Sequence, residues 1–469
     1  MPKLAIIEPI ISAGGVERFL HGFIGGVIEE RITDDWEIVL VRARTNSAGI
    51  HVPWPQHLLA PNLRVQYIDS ENSLSRALGW LRASRRVFGI PFTGGLKRTF
   101  ANAISSHGPD RWRAYCGDTQ PWIEYYLRKN RFDVAYFSYP YFLDPPRLKM
   151  PIVATTHDFI FKHGLSTTPA AQRLLDSQLP KWFEACSQVV VSSQFVADDL
   201  KRFYPAWAHK ARIIRLGIPS AEREPTAGEV EAFRKRSGLP ERFVLVVGWI
   251  TEHKNQQVVF EAVTKLRDRG LRIPVVCVGP NSNALNESNT AGHFRRRPQG
   301  YVSKILAFCE GAGLRNGSDY FSLGFVDDFT VECLYRSATM LIVPTITEAG
   351  SFPAREAMRA GCPVVYSRTP PYEEEMQLIQ GNAWMFPTYD SSALADVIAE
   401  VASNGEEARR RSAAAKEIVP RIYCWKKTAR GYFSLFEQVA GLRGTVQKDP
   451  ATHTVHHDSP LPQPRLPTG

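Results

Sequence analysis

The chain alternates short aliphatic and β-branched runs with longer stretches of helical periodicity, and this alternation limits its fold more than any other feature. Leu4 to Ile11, Trp36 to Val41, Val134 to Phe137, Ile152 to Thr155 and Gln188 to Val191 read as strands of a first half. Phe243 to Val247, Ile273 to Val278, Tyr320 to Phe325, Thr339 to Pro344 and Pro363 to Tyr366 read as strands of a second. Strands separated by helices pair in parallel through crossovers, so each half is expected to be a doubly wound α/β unit. Gly217 to Glu229, rich in Pro, Gly, Ser and Glu, reads as the linker between the halves. After Gly441 large apolar residues almost vanish, which predicts a disordered tail.

Composition removes several classes. With 44% apolar and 22% charged residues among 469, the chain is neither disordered throughout nor fibrous. Its seven cysteines form no Cys-x-x-Cys pair, which argues against a disulfide framework and a cysteine-rich zinc site. No apolar run approaches the roughly 18 residues of a membrane span. Glu8 and Pro9 interrupt the opening apolar stretch, so no signal-peptide core forms there and the expected compartment is the reduced cytosol. The formal net charge is +10, and most of it falls in Arg76 to Arg131, where eleven Lys and Arg face three acids. Trp80, Trp112 and Trp122 are interleaved with those bases. Such a window suits an anionic surface or nucleic-acid phosphates, and it equally suits a solvated face over core aromatics.

Four motifs carry chemistry. Ser12-Ala13-Gly14-Gly15-Val16-Glu17 forms the first strand-to-helix turn, where glycines let a backbone approach an anion or simply make a tight turn. Thr155-Thr156-His157-Asp158 closes an apolar run and places His157 at the carboxyl end of a strand, where open α/β sheets bind ligands. A neutral imidazole there can hydrogen-bond a sugar hydroxyl or a backbone carbonyl. Gly248 to Asn255 leads from a buried strand to a helix, with Lys254 at the helix entrance, a place for a phosphate or for plain surface. In Glu348-Ala349-Gly350-Ser351-Phe352-Pro353-Ala354-Arg355-Glu356, the Gly350 to Phe352 stretch offers backbone N–H groups to an anion while Glu348 and Glu356 aim at one crevice. Hydroxyls combined with a phosphate fit that arrangement, and a nucleotide sugar has both.

Together these motifs resemble the GT-B glycosyltransferases of family four, retaining enzymes marked by Glu-x7-Glu. The likeness spans most of residues 1 to 440. It rests on Gly14-Gly15-Val16-Glu17, His157-Asp158, Val191 to Leu200, Gly248 to Asn255, Gly324-Phe325-Val326, and Glu348 through Val365. It implies two Rossmann-like domains facing across a cleft: residues 1–220 binding the acceptor, residues 221–424 binding the nucleotide sugar, a helix over 425–440 crossing back, and the tail 441–469.

The resemblance also implies roles. Glu356 would bind the ribose hydroxyls and Lys254 the diphosphate. Gly350, Ser351 and Phe352 would present N–H groups to phosphate and sugar, with Glu348 on the sugar hydroxyls. Gly14 and Gly15 would lie against the diphosphate, Gly248 at the phosphate loop, Val326 near the nucleobase and His157 beside the reacting carbon. His157 and Glu348 are the catalytic candidates. Relatives commonly carry an arginine after the glycine of the Gly248 motif or before the lysine. This chain has Trp249 and His253 there, hence one fewer permanent cation. The implied activity is transfer from a nucleoside-diphosphate sugar to a glycan or lipid-linked acceptor in cell-surface glycan synthesis. No metal is expected, since Asp-x-Asp is absent, and no nucleic-acid partner. Residues 76–131 would dock on the inner face of an anionic membrane. The rivals are a GT-B protein that binds nucleotide sugar without transfer, a glycosidase using Glu348 and Glu356, and a nucleic-acid binder. Donor base, sugar, acceptor and the role of the insertion 281–300 are left open by the sequence.

Overall fold

The computed structural model describes residues 1–8, 15–43, 52–68, 123–141, 143–164, 169–219, 223–286 and 300–442. Gly14, residues 76–122 of the basic window, residues 287–299 of the insertion and residues 443–469 of the tail lie outside them.

Two parallel sheets organise the chain, as the alternation implied. The first contains β1 (Lys3–Glu8), β2 (Glu37–Ala43), β3 (Leu63–Ile68), β4 (Val134–Phe137), β5 (Ile152–Thr155), β6 (Gln188–Val191) and β7 (Ala211–Ile213), in the order β3-β2-β1-β4-β5-β6-β7. The second contains β8 (Val244–Val247), β9 (Val275–Val278), β10 (Tyr320–Gly324), β11 (Met340–Val343), β12 (Val364–Ser367) and β13 (Trp384–Phe386), in the order β10-β9-β8-β11-β12-β13. Central strands such as β1, β4 and β11 are buried almost throughout, which is why they read as unbroken apolar runs and not as alternating ones. In each sheet the winding reverses once, between β1 and β4 and between β8 and β11. Open α/β sheets form their ligand crevice at such a reversal.

The linker reading needs a correction. Its last residues already belong to the helix Ala227–Ser237, because the Thr226 side chain accepts from the Glu229 N–H while the Glu229 carboxylate accepts from the Thr226 N–H. That capping box starts a helix inside a segment whose composition suggests only a connector.

The helix Trp425–Val439 returns to the first domain and lies along the opening helix Gly15–Glu29. Its Tyr432, Phe433 and Phe436 join Phe19, Phe23 and Tyr136 in one aromatic cluster. The Thr155 hydroxyl bonds both Tyr136 and Tyr432 at 2.7 Å, so the cluster's polar atoms are satisfied. Glycines make room for Trp425. A Cβ on Gly22 would lie 2.1 Å from its indole, one on Gly217 2.4 Å from it, and one on Gly26 2.4 Å from its backbone oxygen. The indole Nε1 then donates to the Ile218 carbonyl at 2.9 Å.

Gly26→Val is therefore expected to lower stability by roughly 1–3 kcal/mol, because its clash is with backbone and no rotamer relieves it. Gly25→Ala meets only Leu58 at 3.8 Å. It should leave stability unchanged or raise it by up to about 1 kcal/mol through helix propensity. Denaturant midpoints of the two variants check the contrast.

Candidate active site

At the reversal of the second sheet, the loops after β8 and β11 bring Lys254 and Glu348 together. Lys254 ends a short helical turn, Glu252–Lys254, and its Nζ pairs with Glu348 Oε2. Glu348 is 7% exposed, and its Oε1 is buried with no hydrogen-bond partner among the described residues, an acceptor left unsatisfied.

The turn after Glu348 is shaped by Gly350, whose φ of +149° is a conformation that side chains rarely adopt. Ser351 caps the helix Phe352–Ala360 by accepting from the Ala354 N–H at 3.3 Å, and Pro353 fills the first turn. The N–H groups of Gly350, Ser351 and Phe352 have no partner among the described residues. They form the free donor set of a helix start. Ala349 and the Phe352 ring pack against apolar clusters of the first domain, so this turn sits in the seam between the two units.

One helical turn later, Glu356 is 4% exposed. It accepts from the Tyr335 hydroxyl at 3.0 Å and lies 2.5 Å from Arg18 Nη2 of the opening helix. Burial pushes its carboxyl above the ordinary range, with Arg18 and the Tyr335 hydroxyl opposing. Arg18 therefore supplies a cleft cation from the opposite domain. It was missed in the sequence although it directly follows Gly14-Gly15-Val16-Glu17, because an arginine in the first turn of a helix reads as ordinary surface.

Trp249 and His253 stand where an arginine was expected. The Trp249 ring is 51% exposed. His253 bonds Thr251 through Nδ1 at 3.2 Å, and burial together with the neighbouring Lys254 charge pulls its pKa to about 4, so it is neutral. Lys254 and Arg18 thus each pair with one carboxylate of the motif. Gly248, with φ +140°, is crowded by Gly279, where a Cβ would lie 2.5 Å from the Gly248 carbonyl. Gly279 is a second residue whose importance only the fold shows.

His157 lies two residues past the end of β5. Its Nε2 lies 2.8 Å from the Ser138 carbonyl, so Nε2 carries the proton and Nδ1 keeps a lone pair for a donor. Phe19 meets its ring edge to face at 5.2 Å, and burial lowers its pKa to about 4. Burial likewise pushes the Asp158 carboxyl up, with the Ile160 N–H opposing and the Glu348 charge adding to the rise. Gly15 opens the first domain's helix, and a Cβ added to it would meet nothing within 4 Å. The site residues accordingly form two clusters, Lys254 with Glu348 and Arg18 with Glu356, joined by the Gly350 turn. Val326 follows β10, on the edge of the second sheet, and packs against the second domain's core cluster, which includes Tyr335, the hydroxyl partner of Glu356.

Comparison with known proteins agrees with this architecture. Residues 229–418 match the family described as glycosyl transferases group 1, and residues 95–222 match glycosyltransferase family 4. The chain belongs to these family 4, group 1 glycosyltransferases. It is 26% identical over 268 residues to the D-inositol 3-phosphate glycosyltransferase of Saccharomonospora viridis, covering 55% of this chain and 57% of that one. A D-inositol 3-phosphate glycosyltransferase of Salinispora arenicola is 26% identical over 236 residues, covering 47% and 48%. The chain thus spans about half the length of the curated relatives it matches. Among solved structures, sucrose-phosphate synthase of Thermosynechococcus elongatus superposes with a TM-score of 0.65 at 16% identity over 94% of this chain and all of that one. Anabaena HepE, solved in complex with UDP-glucose, gives 0.62 at 14% identity over 93% and 99%. The fold is GT-B.

The neutral His157 has a measurable signature. Its pKa falls from 6.5 to about 4 on folding, so the unfolded chain takes up the proton first as the pH drops. Its contribution to stability is complete above pH 6.5 and is lost as the pH falls toward 4. The slope is at most about 1.4 kcal/mol per pH unit. Denaturant titrations between pH 7 and 5 should show His157→Gln losing less stability than wild type. Glu8, raised to about 8 by burial, slopes the other way and is common to both proteins.

Proposed function

We propose that the protein is a retaining glycosyltransferase that moves a sugar from a nucleoside-diphosphate sugar to a glycan acceptor. The observation that carries this reading is the anion-ready turn at Gly350 set between two buried carboxylates, each already paired with a cation. A diphosphate suits the free N–H groups and Lys254, while sugar and ribose hydroxyls suit the unpartnered Glu348 Oε1 and the Glu356 carboxylate. On this reading the bond from the anomeric carbon to the diphosphate oxygen breaks, and its electron pair leaves with the diphosphate. Lys254, Arg18 and the start of helix Phe352–Ala360 stabilise that developing charge, so no metal is required. The acceptor oxygen forms the new bond on the same face and passes its proton to the departing diphosphate oxygen. His157 Nδ1, facing the cleft as an acceptor, orients a sugar hydroxyl.

Two observations outside this chain support the donor class: HepE is solved with UDP-glucose, and several curated relatives are named as glycosyltransferases. The acceptor proposed is a cell-surface or lipid-linked glycan, reached from the cytoplasmic side by the basic window. Among the described residues no helix is long and apolar enough to cross a membrane. Cosedimentation with anionic but not neutral liposomes at low salt tests the docking.

The donor is tested by thermal shift with UDP-, GDP- and ADP-sugars, since a ligand that binds only the folded state raises its stability by mass action. One of these sugars should raise the melting temperature of wild type. Glu356→Gln should weaken that sugar about ten- to a hundredfold, the equivalent of roughly 1.5–3 kcal/mol for a charged hydrogen bond. No shift with any of them would overturn the reading.

A further inference from the structure

Arg355 lies inside the Glu348 to Glu356 motif yet points away from both carboxylates. It is 8% exposed. Its guanidinium holds Glu375 in a fork, with Nε at 3.0 Å from Oε1 and Nη2 at 2.9 Å from Oε2, and it lies 3.9 Å over the Tyr423 ring. The same Nη2 stands 2.8 Å from where a Cβ on Gly350 would be. A planar cation is therefore wedged directly beneath the turn that offers its N–H groups to an anion, and any side chain at residue 350 would collide with it.

Glu375 belongs to the helix Pro370–Leu378, and the residue before it reaches in another direction. Glu374 accepts from the Gln194 and Phe195 N–H groups of the first domain at 3.0 and 2.9 Å and pairs with Arg215 at 3.1 Å. Those two N–H groups open the helix Gln194–Phe203, whose own cap, Ser193, serves only Val196. A carboxylate from the second domain thus completes a helix start in the first.

We propose that Arg355 is a positioning residue for the anion-binding turn at Gly350, and that the neighbouring carboxylates Glu375 and Glu374 tie the placement of this turn to the seating of the first domain. The inference rests on the reading of that turn as the diphosphate site. Arg355 touches no donor; it fixes the height and tilt of the N–H groups that do. Breaking Glu374 from the first domain frees the helix that holds Glu375, and the support under Gly350 loosens with it.

The test is isothermal titration of UDP, GDP and ADP, each beside its nucleoside, into wild type and three variants. Arg355→Leu combined with Glu375→Leu removes both members of the buried pair, so no lone charge is left to unfold the protein. Arg355→Lys keeps the charge without the fork. Glu374→Ala cuts only the link to the first domain. The paired variant should bind the preferred diphosphate about tenfold more weakly and its nucleoside unchanged, with Arg355→Lys in between. Glu374→Ala should lose about fivefold for the diphosphate alone, within the usual range of coupling between sites. Equal affinity for the diphosphate in wild type and in a folded paired variant overturns the inference and leaves the proposed function standing. Equal losses for diphosphate and nucleoside do the same, by showing a general structural role. If wild type binds none of the three diphosphates, both fall together.

Discussion

Two buried carboxylates cannot share one crevice without positive charge beside them, and much of this molecule is arranged to supply it. Glu348 is neutralised from within its own domain by Lys254, whereas Glu356 is neutralised by Arg18 across the domain seam. Burying a carboxylate unpaired costs several kcal/mol, so the buried Glu356 depends on the first domain being in place. A ligand that brings hydroxyl donors to Glu356 and negative charge to Arg18 can replace that pairing on both sides. The ion pair is therefore a stabiliser of the seam and, on the proposed function, a contact that the donor would exchange.

The seam around the pair is built from complementary parts. Trp425 in its three-glycine groove fixes the return helix on the first domain, while Glu374 and Arg215 join the far side of the cleft. Phe352 and Ala349 insert apolar surface beside the Gly350 turn. The turn is thus held from beneath by Arg355 and from the side by the first domain, and that two-sided support fixes the backbone that carries the free N–H groups.

Much of this was legible in the sequence, and the remainder failed for identifiable reasons. Nine of the ten strands read from the sequence lie inside their sheets, where burial on both faces makes them largely apolar; the tenth, β10, is an edge strand with alternating burial. β3, β7 and β13 lie toward or at the sheet edges, where Leu63–Ile68 carries Arg64 and Gln66, and the other two are three residues each. Neither mixed polarity nor such short length separates a strand from a loop. Glu348, Lys254, His157 and the Gly350 turn could be found because each sits at a strand-to-helix junction, where α/β sheets place ligands. Arg18 and Arg355 were passed over because a helical arginine ordinarily reads as solvated, and only tertiary structure shows one crossing to Glu356 and the other buried under Gly350. Gly279 and the glycines around Trp425 were silent for a related reason: close approach is a property of two segments and leaves no local pattern.

The central claim is that Glu356 exchanges Arg18 for a nucleotide's hydroxyls. A crystal structure of the protein with the nucleoside-diphosphate sugar that stabilises it most would test this directly. The account predicts the Glu356 carboxylate within hydrogen-bond distance of the ribose hydroxyls, the Arg18 guanidinium turned from it toward the diphosphate, and the diphosphate on the N–H groups of Gly350 to Phe352. An intact pair between Arg18 and Glu356, with the nucleotide bound elsewhere in the cleft, would contradict it.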